Sequence, residues 1–443
     1  MITLIMDKVL LIGGNKGASN KLEKLNLILP DSSKLEYVTL QELNSSKILL
    51  ELKSSEKLVY LMQSKSTDYR RQLLFIYEIG RVLHLSYSFR IRAKQMLGCH
   101  IHPKNFLGIK NCIRQNLYFK NGFMYMFFFL GFFRFPKRLL IKLLTVNFSE
   151  HLILEEVFES LSLSAIVIFT AGQDNLSFLI GMLKKNNKIK YGMVILNWDN
   201  TSSKAFISQI FDKIGLWNEN QICEAVKFSE LSIKKLEVIG SKVADTAYSK
   251  YFTEKYHTEH SLENKLLFLG QQNRCDELAE LISINNLLRL CRTPYDHLVY
   301  RPNPYGKNGR SIIDSGVLEQ LGIGVNTDSD IDLREYKGIV CFPTTMLLEV
   351  ILSGVPYLTY TPKHSNYLFS PKNTWNYYHF NYVRSILQNP VIESSFDLFN
   401  NIKLGIPKQK TFSQNDFSKI LPNFDKCYDS RLNEFVFNML YDF

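Results

Sequence analysis

Residues 337–360 read KGIVCFPTTMLLEVILSGVPYLTY. A short apolar run of strand length, 338–342, breaks at Pro343. Thr344 and Thr345 stand ahead of an apolar segment, 346–352, that closes at Ser353-Gly354, and a β-rich run follows at 355–360. The order predicts strand, loop, helix, strand. Hydroxyls at a helix start and glycine just past its end are the residue types that satisfy backbone groups left over at helix termini. Half of a βαβ unit of this kind aims a helix N-terminus at the C-terminal edge of a parallel sheet. Free N–H groups and the positive end of the dipole suit a phosphate there. Glu349, one turn further in, is in reach of a sugar hydroxyl. An ordinary crossover with a threonine cap accounts for the same pattern and stays open at this point.

Outward from this stretch the alternation repeats. Strands are expected at 8–14, 35–40 and 57–62, with helix-like stretches between them. GGNKG after the first strand is Gly-rich but has neither dinucleotide-binding nor Walker spacing, so it predicts no phosphate site. Further strands are expected at 164–170, leading to Ala171-Gly172-Gln173-Asp174, and at 191–196, leading to Asn197-Trp198-Asp199-Asn200-Thr201-Ser202-Ser203-Lys204. Two more, at 213–217 and 236–240, lead to Asn218-Glu219 and Ser241. Short strands separated by helical stretches make a doubly wound sheet, whose ligands sit outside the carboxyl ends of the strands. A polar stretch follows, read as a linker. A second α/β run opens at 265–269, ends in Gly270-Gln271-Gln272, and continues through a helix at 276–284. A strand at 297–300 then ends in Arg301-Pro302-Asn303-Pro304. The predicted class is α/β: two Rossmann-like doubly wound domains facing a cleft. The N-terminal domain would span 1–245, a linker 246–263, a C-terminal domain 264–410 and terminal helices 411–443.

The 443 residues suffice for two or three domains, and 46% of them are hydrophobic, the share of a globular protein. Seven cysteines without a CxxC pair indicate neither a disulfide framework nor a zinc site. Cys99, His100, His102 and Cys112 cluster, but no second well-spaced pair joins them, so no metal is expected. A reducing, cytoplasmic setting fits best. Asp7 interrupts the apolar start, and no signal peptide is expected.

The net charge of +11 belongs to one segment. Residues 79–149 hold twelve basic residues and no Asp or Glu, and outside them 41 basic residues face 42 acidic ones. Within that segment 123–133 is an apolar run rich in Phe, including Phe127, Phe128, Phe129, Phe132 and Phe133. Arg134, Lys137, Arg138 and Lys142 follow directly. Eleven residues fall short of the roughly 20 that span a bilayer. A basic aromatic segment suits the headgroup region of an anionic membrane; a buried helix pair with a basic face is the competing expectation. Nucleic acid is not expected, because the aromatics are clumped rather than interleaved with the charges.

Three stretches of the first half, YGMVILNWDNTSSK (191–204), DKIGLWNENQICEAV (212–226) and LEVIGSKVADTAY (236–248), resemble a WDNxSSK, VWxExQxxEA, VxGxPxxD series. That series is associated with GT-B proteins of bacterial surface-polysaccharide biosynthesis, the group that includes CDP-glycerol glycerophosphotransferase-like and Kdo-transferase-like enzymes. In the second half LVYRPNP is similar to VxRPHP, with Asn303 where the group has His, and VCFPTTMLLEVILSGVPYL is similar to VxxxSTxxLEAxxxGxP. The resemblance covers roughly 160–360 and leaves the first 150 residues unmatched.

The resemblance implies a nucleotide donor bound on the C-terminal domain and an acceptor on the N-terminal one. For the donor, the expected residues are Gly270, Gln271, Gln272, Arg301, Asn303, Thr344, Thr345 and Glu349. Arg301 and the helix start would neutralise the leaving phosphate without a metal or cofactor, and Glu349 would accept from ribose or sugar hydroxyls. An inverting reaction needs a general base on the acceptor side. Asp199 is favoured over Asp174 and Glu219, with Trp198, Asn200, Ser202 and Lys204 as acceptor-side residues. The expected activity is transfer of a sugar, or a glycerol-phosphate-type unit, to a glycan or lipid-linked acceptor at the inner face of the plasma membrane. A UDP-GlcNAc 2-epimerase-like enzyme and a non-catalytic glycan- or membrane-binding scaffold are the alternatives.

Overall fold

The structure, a computed structural model, describes residues 7–13, 35–39, 163–170, 189–196, 198, 201, 207, 211–229, 231–253, 264–271, 277–303, 313–328, 331–362, 375, 379–386, 391–408, 418, 420–422 and 424–441. The expected strand at 57–62, the Cys/His cluster and the whole basic aromatic segment, with Phe127, Phe128, Phe129, Phe132, Phe133, Arg134, Lys137 and Arg138, lie outside them.

The described strands are β1 Asp7–Gly13, β2 Leu35–Thr39, β3 Leu163–Thr170, β4 Lys190–Ile195, β5 Lys213–Leu216, β6 Leu236–Val238, β7 Lys265–Leu269, β8 His297–Arg301, β9 Gly324–Val325, β10 Gly338–Cys341 and β11 Tyr357–Thr359. The described α-helices are α1 Glu219–Ser229, α2 Lys242–Tyr248, α3 Glu277–Leu290, α4 Ser315–Gln320, α5 Met346–Ser353, α6 Phe380–Ile386, α7 Ser395–Leu404 and α8 Tyr428–Tyr441. They form two compact units. One takes the described residues up to Asp245 and those from Ser418 on; the other takes those from Thr246 to its end before Ser418.

The first unit is built on a parallel sheet in the order β2-β1-β3-β4-β5-β6. Its central strands carry near-continuous apolar runs because a parallel sheet is covered on both faces; Ala165 through Phe169 of β3 are fully buried. Helix α8 lays Leu432, Phe435, Val436 and Met439 against Val167, Phe169, Val194 and Ile239. The C-terminal helix therefore completes the core of the first sheet. β5 stops one residue short of the expected strand, since the Trp217 N–H turns to the Gln221 side chain at 2.7 Å.

The second unit is built on a parallel sheet in the order β11-β10-β7-β8-β9. Phe268, Phe342 and Tyr360 pack through its core, the first pair edge to face and the second tilted, with ring centroids 5.4 Å and 5.9 Å apart. The stretch that set the reading folds as β10, α5, β11. Leu347, Leu348, Val350, Ile351 and Leu352 of α5 are buried, and Gly354 ends the helix at φ 69°, the left-handed conformation that Gly tolerates. Helix α3 runs past the expected 284, because its apolar spacing continues through the buried Leu288. The two parallel sheets give the expected α/β class. The expected linker begins differently: α2 and a π-helical turn, Ser249–Thr253, occupy its first residues.

Candidate functional site

In the second sheet the chain passes β7, β8 and β9 in one direction and then returns to set β10 on the other side of β7. Outside the carboxyl ends of β7 and β10, at such a reversal, is where open α/β sheets take ligands. Two loops lie at that edge, Gly270-Gln271 after β7 and Pro343-Thr344-Thr345 after β10.

The first loop is clasped from below. The Gly270 N–H donates to the Arg301 carbonyl at 2.8 Å. The Gln271 N–H donates to Glu277 Oε1 at 2.6 Å, and the Tyr300 hydroxyl donates to Glu277 Oε2 at 2.8 Å. Glu277, the first residue of α3, is fully buried and ties loop, helix and β8 together. Gly270 is needed for this fit: a Cβ there would lie 2.7 Å from Tyr300 Oη and 3.0 Å from Glu277 Oε2.

The second loop enters α5 tightly. The Leu347 and Leu348 N–H groups donate to the Thr344 and Thr345 carbonyls at 3.0 Å and 3.1 Å. Thr345 holds the cap position with φ −58° and ψ −31°, already helical, and its hydroxyl makes no capping bond. The expected threonine cap is thus replaced by backbone bonds that tighten the first turn. The N–H groups of Thr345 and Met346 are those a helix leaves outside its own bonding, and both threonine side chains are half-buried at the loop.

Arg301 ends β8, two strands from β10. Its Nη1 donates to the Asp328 carbonyl. The Asp328 turn is held by its own N–H on Asn326 Oδ1 at 2.9 Å, and Asn326 Nδ2 donates to the Tyr336 hydroxyl at 3.2 Å. Burial lowers the Arg301 pKa from its ordinary value, while Glu349, Tyr336, Asp328 and Tyr251 pull it back up. A guanidinium stays charged through such a shift, so the site holds a half-buried fixed cation with the Glu349 carboxylate acting on it. Asp332 and Arg334 flank the cluster, joined at 2.8 Å. Burial pushes the Asp332 carboxyl up, but the hydrogen bonds and charge of Arg334 outweigh it and hold the group below its usual range.

Of the residues expected at the donor, Gly270, Gln271, Arg301, Thr344, Thr345 and Glu349 come to this edge. Asn303 follows two residues after β8, half-buried, and Gln272 lies outside the described residues. Glu277, Tyr300, Asp328, Tyr251 and Arg334 were missed. Only Glu277 left a signal, a carboxylate in the first turn after a glycine loop.

In the first unit the motif residues are arranged differently. Trp198 is 3% exposed, and its carbonyl accepts from Gln221 Nε2 at 2.8 Å. Trp217 Nε1 donates to the Ile195 carbonyl at 2.9 Å, the Gln221 N–H donates to Asn218 Oδ1 at 2.9 Å, and Asn218 Nδ2 donates to the Ile420 carbonyl. Thr201 donates to the buried Glu224. A buried Trp198 offers no face for a sugar to stack on. Glu219 is exposed at the start of α1. The sheet's own reversal falls between β1 and β3. Asp174, Asp199, Asn200, Ser202 and Lys204 lie outside the described residues. Among the described residues no group of His, Cys, Asp and Glu is arranged to hold a metal, and no helix is long and apolar enough to cross a membrane.

No family model matches the chain, and no curated protein does. Solved structures similar to it include a UDP-N-acetylglucosamine 2-epimerase from Rickettsia bellii, 12% identical, covering 98% of this chain and 97% of that one with a TM-score of 0.48. A UDP co-structure of S. aureus MnaA is 11% identical and covers 98% of each chain, with a TM-score of 0.45. The wall teichoic acid polymerase TagF is 12% identical and covers 65% of this chain and 74% of that one, with a TM-score of 0.40.

Proposed function

We propose that the second unit binds a nucleotide-activated donor, and that the protein is a glycosyltransferase moving a sugar, or a glycerol-phosphate-type unit, to a surface-glycan acceptor. The observation that carries this reading is the half-buried Arg301 with Glu349 acting on it, at the sheet edge where α5 begins. A guanidinium and free N–H groups at a helix start are what a leaving diphosphate needs as charge builds on it. Glu349 supplies an acceptor for ribose or sugar hydroxyls. With a sugar donor the bond from the anomeric carbon to the phosphate oxygen breaks and the nucleotide leaves. With a glycerol-phosphate-type donor the phosphoanhydride bond breaks and a nucleoside monophosphate leaves. In either case the acceptor oxygen forms the new bond and its proton goes to a base. Asp199 remains our proposal for that base. Arg301 and the helix start would make the reaction metal-independent. The basic aromatic segment would hold the protein on an anionic membrane surface, where lipid-linked acceptors sit.

The test is calorimetric titration with CMP, CDP, UDP, GDP and their sugar conjugates. One base is expected to bind, with Arg301→Ala weakening it by roughly 30- to 150-fold, the worth of a charge-assisted bond of about 2–3 kcal/mol. Absence of binding by every nucleotide to the folded protein overturns the reading. Conversion of a bound sugar nucleotide to its epimer without an acceptor would move the assignment to an epimerase.

A further inference from the structure

The π-helical turn Ser249–Thr253 falls in the stretch that the sequence presents as a linker, yet it is fastened to the second unit. Lys250 Nζ donates to the Ile331 carbonyl at 2.9 Å, just ahead of the 3₁₀ turn Leu333–Glu335. Arg334 of that turn lies over the Tyr251 ring, 5.3 Å from its centroid, and is itself oriented by two bonds from its Nε and Nη2 to Asp332, at 3.0 Å and 2.8 Å. The same 3₁₀ turn packs against α5. Tyr251 is thereby tied to the turn that packs against the helix carrying Glu349.

The Tyr251 hydroxyl is closed to solvent and forms no hydrogen bond of ordinary geometry, although the Leu333 backbone draws near it. Burial raises the phenol pKa well above its usual value, and among the charges acting on it Glu349 is the strongest. The group therefore keeps its proton at neutral pH and is a donor. Enclosed donors without an acceptor are rare in native proteins and call for a partner. Two carboxylates act on the hydroxyl, Glu349 more strongly than Asp332, and Asp332 is already bonded to Arg334.

We propose that Tyr251 is a positioning residue for Glu349: its O–H donates to the carboxylate when a nucleotide-activated donor is bound, fixing the carboxylate against the donor's hydroxyls. The inference rests on the donor-site reading above. It makes the donor site draw on a residue from the connecting segment.

A double-mutant cycle tests it. UDP, CDP and GDP are titrated into wild type, Tyr251→Phe, Glu349→Gln and the double variant. Phenylalanine keeps the ring under Arg334 and removes only the hydroxyl, so the melting temperature is expected to stay within a degree or two of wild type. The affinity of whichever nucleotide binds is expected to fall about fivefold to tenfold in the Glu349 background and by less than about twofold in the Glu349→Gln background, the non-additivity that contacting residues show. An equal loss in both backgrounds, or none in either, overturns the positioning role and leaves the donor site standing. If no nucleotide binds wild type, the donor-site reading falls and the inference falls with it.

Discussion

The two parallel sheets carry motif residues of similar chemistry and use them in opposite ways. At the carboxyl ends of β4 and β5, Trp198, Trp217, Asn218, Gln221 and Glu224 are buried and bonded to one another, to Thr201 or to backbone. At the carboxyl ends of β7, β8 and β10, the buried partners Glu277 and Tyr300 hold the loop from below, while Arg301, Thr344, Thr345 and Glu349 are only half-buried. A polar motif therefore identifies a region but not a role. In the first unit the polar residues satisfy the scaffold; in the second, Glu277 and Tyr300, outside the motif, hold the loop, and on the proposed reading the half-buried motif residues face the donor.

The strongest way to break that contrast is Gln221→Leu. It leaves the Trp217 N–H and the Trp198 carbonyl without the side chain that now bonds both. Each abandoned buried group costs about 1–3 kcal/mol, so a loss of roughly 2–6 kcal/mol is expected in thermal unfolding. Nucleotide affinity measured well below the transition is expected to be unchanged. A variant that folds as wild type but loses nucleotide would show that the first-unit network is itself a ligand site.

Glycine substitutions sharpen the comparison at smaller scale. Gly270→Ala drives a Cβ into Tyr300 and Glu277 and breaks the clasp under the loop. Overpacking of this kind costs about 1–3 kcal/mol, and here nucleotide affinity is expected to fall as well, because the Gln271 N–H loses its register on Glu277. Gly192→Ala in β4 also meets a close neighbour, Met439 Sδ at 2.9 Å, but that is the end of a flexible chain. Its effect is expected to be on stability alone and to be the smaller of the two. Calorimetric unfolding with and without nucleotide reads both.

Much of this organisation was legible in the sequence. Parallel strands buried on both faces write themselves as apolar runs, so β3, β4, β7, β8 and β10 fall close to their expected positions. Gly354 announces the end of α5 by the conformation it must adopt. What was not legible depends on distant pairs. Helix α8 belongs to the first sheet although nearly 200 residues separate Arg431 from Ile239, whose carbonyl its Nε meets at 2.7 Å. Tyr251 sits in a polar stretch with no periodicity, and only the fold brings it to Arg334 and α5. The threonines were read as caps because their residue type favours that role, but the first turn closes on backbone bonds instead.

The smallest expected effects differ in sign between the units. Asp332 in the second unit has its pKa lowered on balance, since the hydrogen bonds from Arg334 overcome its burial. Its stabilisation is present above the unfolded carboxylate value of about 4 and is lost as pH falls through the folded value. Asp332→Asn is therefore expected to melt below wild type at pH 7, with the gap closing in acid. Asp429 in the first unit has its pKa raised, by burial first, with Lys242 opposing and Asp245 adding to the rise. Its oxygen Oδ1 is buried without a hydrogen bond, and Lys242 Nζ lies 3.8 Å from the other oxygen, Oδ2. Here the stabilisation is present below about pH 4 and is lost as pH rises through the folded value. Asp429→Asn is accordingly expected to melt slightly above wild type at pH 7, by less than about 1 kcal/mol, and to converge with it in acid. If Asp429→Asn melts lower at pH 7 instead, the Lys242 attraction outweighs the burial, and the C-terminal helix is held by charge, as Asp332 is by Arg334, rather than by the apolar packing of Leu432, Phe435, Val436 and Met439.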